Sequence, residues 1–427
     1  MEVQNMKGLI VLNQKEAHRG HVLEQVAQHA LSLKEAAAIM GVSYRQAKRI
    51  RKRWNTEGLK GLCHQNRGRS VHHALNPSTA AKILALHEEK YQNFNDTHFV
   101  EMLVEQEGIR VSREKVRQLL RADGHRPKRK RRVKKHHARR PRKARAGIMM
   151  QWDGSPHRWF GPNSYPCCLM SAIDDATSKI LGALFVPVES SVSYLRLLDM
   201  VLRRHGAPLS VYQDRHGALV RTDGYWSVEE QLQGKQYPTH VGRVLEDLGI
   251  EAIPAYSPQA KGRIERGFGV MQDRLIAELE LHGITDMDQA NRWLEEYYIP
   301  RYNQRFGKQA AESGKAFVKI YKRERYEKIA FAYEAVVSND NCVRLGGLMI
   351  DVPPGKSRRS YAKANVLVKQ HLDGCWTVRW KDQVIATHPA TPVKEPVRSW
   401  RKREKRGLIR GRSMMQVYIS SKPAPLP

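Results

Sequence analysis

The sequence predicts a multidomain α+β protein, with N-terminal helix-turn-helix modules, a central α/β domain built on a mixed sheet, and a small C-terminal β-barrel. Three observations carry that expectation. The 427 residues exceed what one ordinary core encloses, so two to four domains are expected. Hydrophobic periodicity is helical up to about residue 125, alternates between strand and helix after Gly147, and breaks into short β-type runs past Tyr333. Between the first two regimes, Arg126 to Arg145 is dominated by Arg and Lys and cannot bury a core.

Charge narrows the partners. Lys plus Arg number 74 against 43 Asp plus Glu, a net charge of +31, which calls for a polyanion. No apolar run approaches the ~20 residues of a spanning helix, and no signal-peptide core precedes the first domain, so nucleic acid fits better than a membrane. A cytoplasmic, nucleoid-associated protein is expected. The five cysteines form no CxxC pair, and the adjacent Cys167-Cys168 read as buried strand residues.

The first module spans residues 20–62. Ser32-Leu33-Lys34-Glu35 is a capping box opening one helix, Gly41-Val42-Ser43 is a turn, and Ser43-Tyr44-Arg45-Gln46 is a second capping box that opens a helix towards Trp54. Arg45, Lys48, Arg49 and Lys52 load that helix with one sign of charge, as in a recognition helix that enters a major groove. A solvated face on a small bundle is the plainer alternative. A second helical module, 77–125, has three helices, with Phe99, Leu103, Val116 and Leu119 available as core and Arg113 and Arg117 on its basic last helix. It is expected either to grip more DNA or to act as a spacer. The basic linker, 126–146, is suited to lie along phosphates.

From Gly147 to Phe306, strands are expected at Ile148–Asp153, Cys167–Asp174, Ile180–Val188, Leu209–Asp214 and Ile250–Tyr256, with helices at Ser191–His205 and Thr239–Leu248. Ser257 is a suitable N-cap and Pro258 a suitable first residue for a helix running to Leu281, whose stripe of Ile264, Phe268, Met271 and Leu275 faces a core. One more helix is expected over Asp288–Arg305. The small barrel should occupy 333–390, and a basic flexible tail 397–427.

Asp153 and Asp214 fall at or just beyond strand ends beside loops, where α/β sheets place ligands. Glu265 lies at the border of the stripe on the following helix, one turn after Lys261, and its plainer reading is a surface i,i+4 pair. Hard carboxylate oxygens from three elements, in a chain that holds a polyanion, suit metal-assisted phosphodiester chemistry with two Mg²⁺ or Mn²⁺ ions about 3.5–4 Å apart. With 43 acidic residues, spacing alone allows many such triples.

Trp152-Asp153, Ala172-Ile173-Asp174-Asp175-Ala176-Thr177-Ser178, Tyr212-Gln213-Asp214-Arg215 and Ser257-Pro258-Gln259-Ala260-Lys261-Gly262-Arg263-Ile264-Glu265-Arg266, with Tyr302-Asn303 beyond, resemble the retroviral-integrase-type catalytic core of bacterial insertion-sequence DDE transposases. The resemblance implies an RNase H-like core over 147–306 with Asp153, Asp214 and Glu265 as catalytic and metal-binding acids, Asp174 and Asp175 being turn residues or weaker candidates. It further implies DNA-backbone contacts from Lys261, Arg263 and Arg266, double-stranded terminal-repeat and target DNA as partners, strand cleavage and transfer as the activity, and a homo-oligomer. Two features depart from the best-known integrases: the segment between Asp214 and Glu265 is longer, with Gly217–Pro238 as the insertion, and helix-turn-helix units replace a zinc-binding N-terminal module. A catalytically inactive DNA-binding regulator or architectural protein is the alternative from another class.

Overall fold

The computed structural model describes residues 12–64, 75–128, 140–221, 224, 226–255, 261–355, 358–381 and 383–393. Residues 129–139 of the expected linker, the whole expected tail 397–427, and the cap expected at Ser257-Pro258 lie outside the described residues. The chain divides into two compact units, Met1–Lys82 and Ile83–Pro427.

In the smaller unit, α1 (Gln14–Ala27), α2 (Leu33–Ile39) and α3 (Tyr44–Glu57) surround buried Val22, Leu23, Ala36, Ala47 and Ile50. The first expected capping box forms in full and the second only in its Ser43 half. Ser32 and Glu35 make the reciprocal capping box, and Ser43 accepts from the Gln46 N–H, so orphan donors at each helix start are satisfied. Arg45, Lys48, Arg49 and Lys52 are exposed on α3.

The larger unit takes in the C-terminal part of α4 (Pro77–Glu89), then α5 (Asp96–Glu105) and α6 (Arg113–Ala122), closed over Phe99, Leu103, Val116 and Leu120. Its centre is a five-stranded sheet of β1 (Met149–His157), β2 (Cys167–Asp174), β3 (Ile180–Val186), β4 (Ser210–Gln213) and β5 (Glu251–Pro254) in the order β3-β2-β1-β4-β5. The first three strands pair antiparallel, while β1-β4 and β4-β5 are parallel, which makes the mixed sheet the sequence predicts. Alternate residues serve opposite faces. Met150, Trp152, Met170 and Ala172 join the core under α7 (Ser191–Arg204) and α9 (His240–Asp247). Leu169, Ile173 and Phe185 join a second core under α10 (Gly262–Leu281), α11 (Met287–Trp293) and α12 (Ile299–Phe306). The long insertion contributes α8 (Val228–Gln233).

Several boundaries differ from expectation. The described part of α10 begins at Gly262, with Lys261 at its cap position and no side-chain cap bond. The helix expected over Asp288–Arg305 is broken by a π-helical turn at Leu294–Tyr298, just before Pro300, which lacks the N–H an uninterrupted helix would use. α5 carries an additional duty, for it docks on α10: Arg274 Nη1 lies 2.5 Å from Glu101 Oε2, and buried His98 Nε2 lies 2.9 Å from Glu278 Oε1.

The C-terminal module is β-rich, after α13 (Lys322–Lys328), but is not a closed barrel. Strands β6 (Ala330–Val336), β9 (Asn365–His371), β10 (Trp376–Trp380) and β11 (Gln383–His388) form an open antiparallel sheet in the order β11-β10-β9-β6. The remaining pair, β7 (Cys342–Leu345) and β8 (Leu348–Asp351), is a separate hairpin. Its four-residue strands are joined by Gly346-Gly347, both at positive φ, and this tight two-residue turn commits them to each other rather than to closing the sheet. Cys167, Cys168, Cys342 and Cys375 are free thiols.

Candidate active site

The sheet brings two of the three predicted acids together. Asp153 is not at a strand end, since β1 continues to His157 against β2. Its pairing with β4, however, covers only Met149–Gln151, so Asp153 stands where the neighbouring strand has stopped. Asp214 is the residue after β4. Period-two alternation sends Trp152 into one core and Asp153 to the opposite face, towards α10. The Trp152 indole donates to Gln213 Oε1 at 3.2 Å, which ties the two aspartate-bearing strands together next to both carboxylates.

Between the aspartates sits a cation. The buried Lys261 ammonium lies 2.9 Å from Asp153 Oδ1 and 3.5 Å from Asp214 Oδ2. Burial pushes the Asp153 carboxyl above the usual carboxylate range, Lys261 draws it back, and the nearby charges of Asp214 and Glu189 push it up again. Two carboxylates this close, one of them desolvated, hold together because a positive charge stands between them.

Glu265 does not join them. It is exposed on the first turn of α10, and the oxygens of the three acids do not all come within 4.8 Å of one another. The one His/Cys/Asp/Glu group that tight among the described residues is Glu88, Asp123 and His125, elsewhere in the unit. Lys261 and Arg263 are also not directed outward. The Arg263 guanidinium donates to buried Asp175 at 2.6 Å and to the Arg140 carbonyl at 2.8 Å. Arg266 is exposed, with Nε donating to the Gly262 carbonyl at 2.7 Å. On α6, Arg113 and Arg117 are exposed, and Arg117 pairs with Glu114 at 2.6 Å.

Asp174 and Asp175 are structural. Asp174 accepts from the Gly147 and Thr177 N–H groups at 2.9 and 2.8 Å, as a turn cap does. Asp175, fully buried, takes Arg263, Arg140, the Lys143 N–H and the Gln151 amide, and so clamps the end of the basic linker to the core. Gln151 also accepts from the Ile264 N–H at 3.3 Å, satisfying one donor at the start of α10.

Sequence reading misses Gln151, Gln213, Glu189 and His216. The first two carry a signal, each standing one or two residues before a predicted aspartate. Glu189 follows the end of β3 and precedes Ser190, the cap of α7, so it reads as a loop residue.

Comparison with known proteins gives a family. A family model described as a helix-turn-helix domain matches residues 18–70. A putative transposase, y4bF, of Sinorhizobium fredii is 36% identical over 306 residues, 72% of this chain and 65% of that one, so this chain spans less than two thirds of that relative. The transposase for insertion sequence IS1202 of Streptococcus pneumoniae is 31% identical over 407 residues, covering 86% of this chain and 84% of its own length. Among solved structures, the HTLV-2 integrase catalytic core domain in complex with magnesium matches 35% of this chain and 84% of that one, at 17% identity and a TM-score of 0.25.

Proposed function

The chain belongs to the transposases of insertion sequences, and from that premise we propose that it binds the ends of its own element, cleaves a strand there to free a 3′-OH, and joins that hydroxyl to target DNA. The observation that supports this most is the Lys261 ammonium held jointly by Asp153 and Asp214. Two aspartates that cradle a positive charge are a hard-oxygen donor set of the kind Mg²⁺ or Mn²⁺ takes, so the residues fit a divalent metal. Asp153 and Asp214 would hold it, while Glu265, exposed and apart from them in the structure, stays the third acid on the strength of the family resemblance alone. A bound divalent ion supplies Lewis-acid stabilisation of phosphoryl charge and a more nucleophilic oxygen at neutral pH.

The chain's own residues do the positioning. β1 and the end of the neighbouring β4 hold the aspartates side by side in the middle of the sheet, and Gln213 and Trp152 keep their spacing. Lys261 neutralises the pair while no other cation is present. Displaced from it, the same ammonium is close enough to approach a phosphodiester oxygen, which reconciles its buried pairing with a DNA-contact role. α3 carries Arg45, Lys48, Arg49 and Lys52 for a duplex, and Arg113, Arg117 and Arg266 add exposed charge for backbone contacts. Arg263 acts indirectly by fixing the start of α10 to Asp175. Synapsis of two ends calls for a homo-oligomer.

The test uses labelled element ends, target plasmid and Mg²⁺ or Mn²⁺. Asp153→Asn, Asp214→Asn and Glu265→Gln should each abolish nicking and joining while leaving end binding within a few-fold of wild type. Full activity in any one would remove that residue from the catalytic set. Nicking of pre-cleaved ends and plasmid without joined products would reduce the activity to hydrolysis, and end binding without any cleavage would favour the regulator.

A further inference from the structure

The two-aspartate reading leaves Glu189 without a purpose, yet its surroundings are built. Its side chain is only 19% exposed, at the turn between β3 and α7. Oε1 accepts from the hydroxyl of fully buried Tyr194 at 2.5 Å. Oε2 lies against Gly154, the residue next to Asp153, so closely that a Cβ there would collide with it. The absence of a side chain at residue 154 is what admits the carboxylate.

On its other side, Glu189 Oε1 lies 3.9 Å from His216 Nδ1. The His216 backbone N–H in turn donates to Asp214 Oδ1 at 3.1 Å. Glu189 therefore adjoins both arms of the cradle, the Asp153 arm through the backbone at Gly154 and the Asp214 arm through the His216 loop. Among the described residues the Lys261 ammonium is shared by Asp153 and Asp214 alone, and the Glu189 charge, close enough to push the Asp153 carboxyl up, adds a third negative charge behind that pair, which favours a doubly charged cation.

Resting on the proposed metal-binding role of Asp153 and Asp214, we infer that Glu189 is a positioning residue of the active site: it holds both aspartates in place and strengthens their grip on a divalent cation. Partners standing behind ligating carboxylates typically contribute ten- to a hundredfold in metal affinity.

Mn²⁺ titration of the full-length protein without DNA, with free ion read by electron paramagnetic resonance, tests this independently of activity. Asp153→Asn should remove the site. Glu189→Gln, whose amide carbonyl still accepts from Tyr194, should weaken Mn²⁺ binding about tenfold, leave the metal-free melting temperature close to wild type, and be rescued by Glu189→Asp. Gly154→Ala, which crowds the carboxylate out without removing it, should weaken binding similarly and carries the test should Glu189→Gln fail to fold. Wild-type Mn²⁺ affinity in Glu189→Gln, or in Gly154→Ala, alongside loss in Asp153→Asn would overturn the role of Glu189 and leave the two-aspartate reading standing. Wild-type affinity in Asp153→Asn would remove the metal reading and this inference with it.

Discussion

Replacing Lys261 with methionine keeps the length of the side chain and deletes the charge that Asp153 and Asp214 share. Removing one partner of a fully buried ion pair costs about 3–5 kcal/mol, because the survivor is left uncompensated. Here the survivors differ. The Asp153 side chain is 18% exposed and that of Asp214 is 40% exposed, so water screens the second far better than the first. The cost should therefore fall to about 2 kcal/mol, a drop in melting temperature on the order of 4 °C for a unit of this size. The sign reverses with metal. In the wild type an incoming cation must displace the ammonium, whereas the variant offers two bare carboxylates, so added Mg²⁺ should raise its melting temperature by more than that of the wild type. Saturation at a hundred times Kd would add about 2.7 kcal/mol. Scanning fluorimetry in chelator and then across a Mg²⁺ series reads both effects. A variant that melts like the wild type in chelator and gains no more from Mg²⁺ would refute the idea that Lys261 stands in for a divalent ion.

Three other outcomes follow from named contacts. His240, packed against Phe331 and Tyr333, is held down to about 4 by burial and then by Arg243. Between pH 6.5 and 4 the unfolded chain takes up a proton that the folded chain refuses, so this contribution is complete above about pH 6.5 and is lost as pH falls to about 4. The loss is about 3 kcal/mol, and His240→Phe should reduce the acid slope of a urea-melt series. Asp175→Ala strands the Arg263 and Arg140 guanidiniums around a buried site and should cost about 3 kcal/mol by chemical denaturation. Neutralising Arg45, Lys48, Arg49 and Lys52 one at a time should weaken end binding and lower the slope of log affinity against log salt by about 0.9 per lost phosphate contact.

Sequence alone determined the order of the central strands, the mixed sheet, the Ser N-caps in the helix-turn-helix and the family, because each rests on local pattern: a period of two or 3.6, a Ser three residues before a Glu or Gln, a short motif around an acid. It also expected Asp153 and Asp214 to converge, and the structure has both against Lys261, although Asp153 lies within β1 and not at its end. What it could not determine is where long side chains turn. Lys261 and Arg263 read as outward cations on a basic helix, yet one fills the space between two aspartates and the other a buried pocket over Asp175. The closing of a barrel was likewise beyond it, because strand count says nothing about whether the first edge reaches the last. Glu189 is the clearest case. It lies 36 positions after Asp153, and nothing in the chain marks it as more than a loop acid. Only the packing of β3's end against Gly154 and Tyr194 gives that carboxylate its position, because contact between distant segments is set by tertiary burial and not by local pattern.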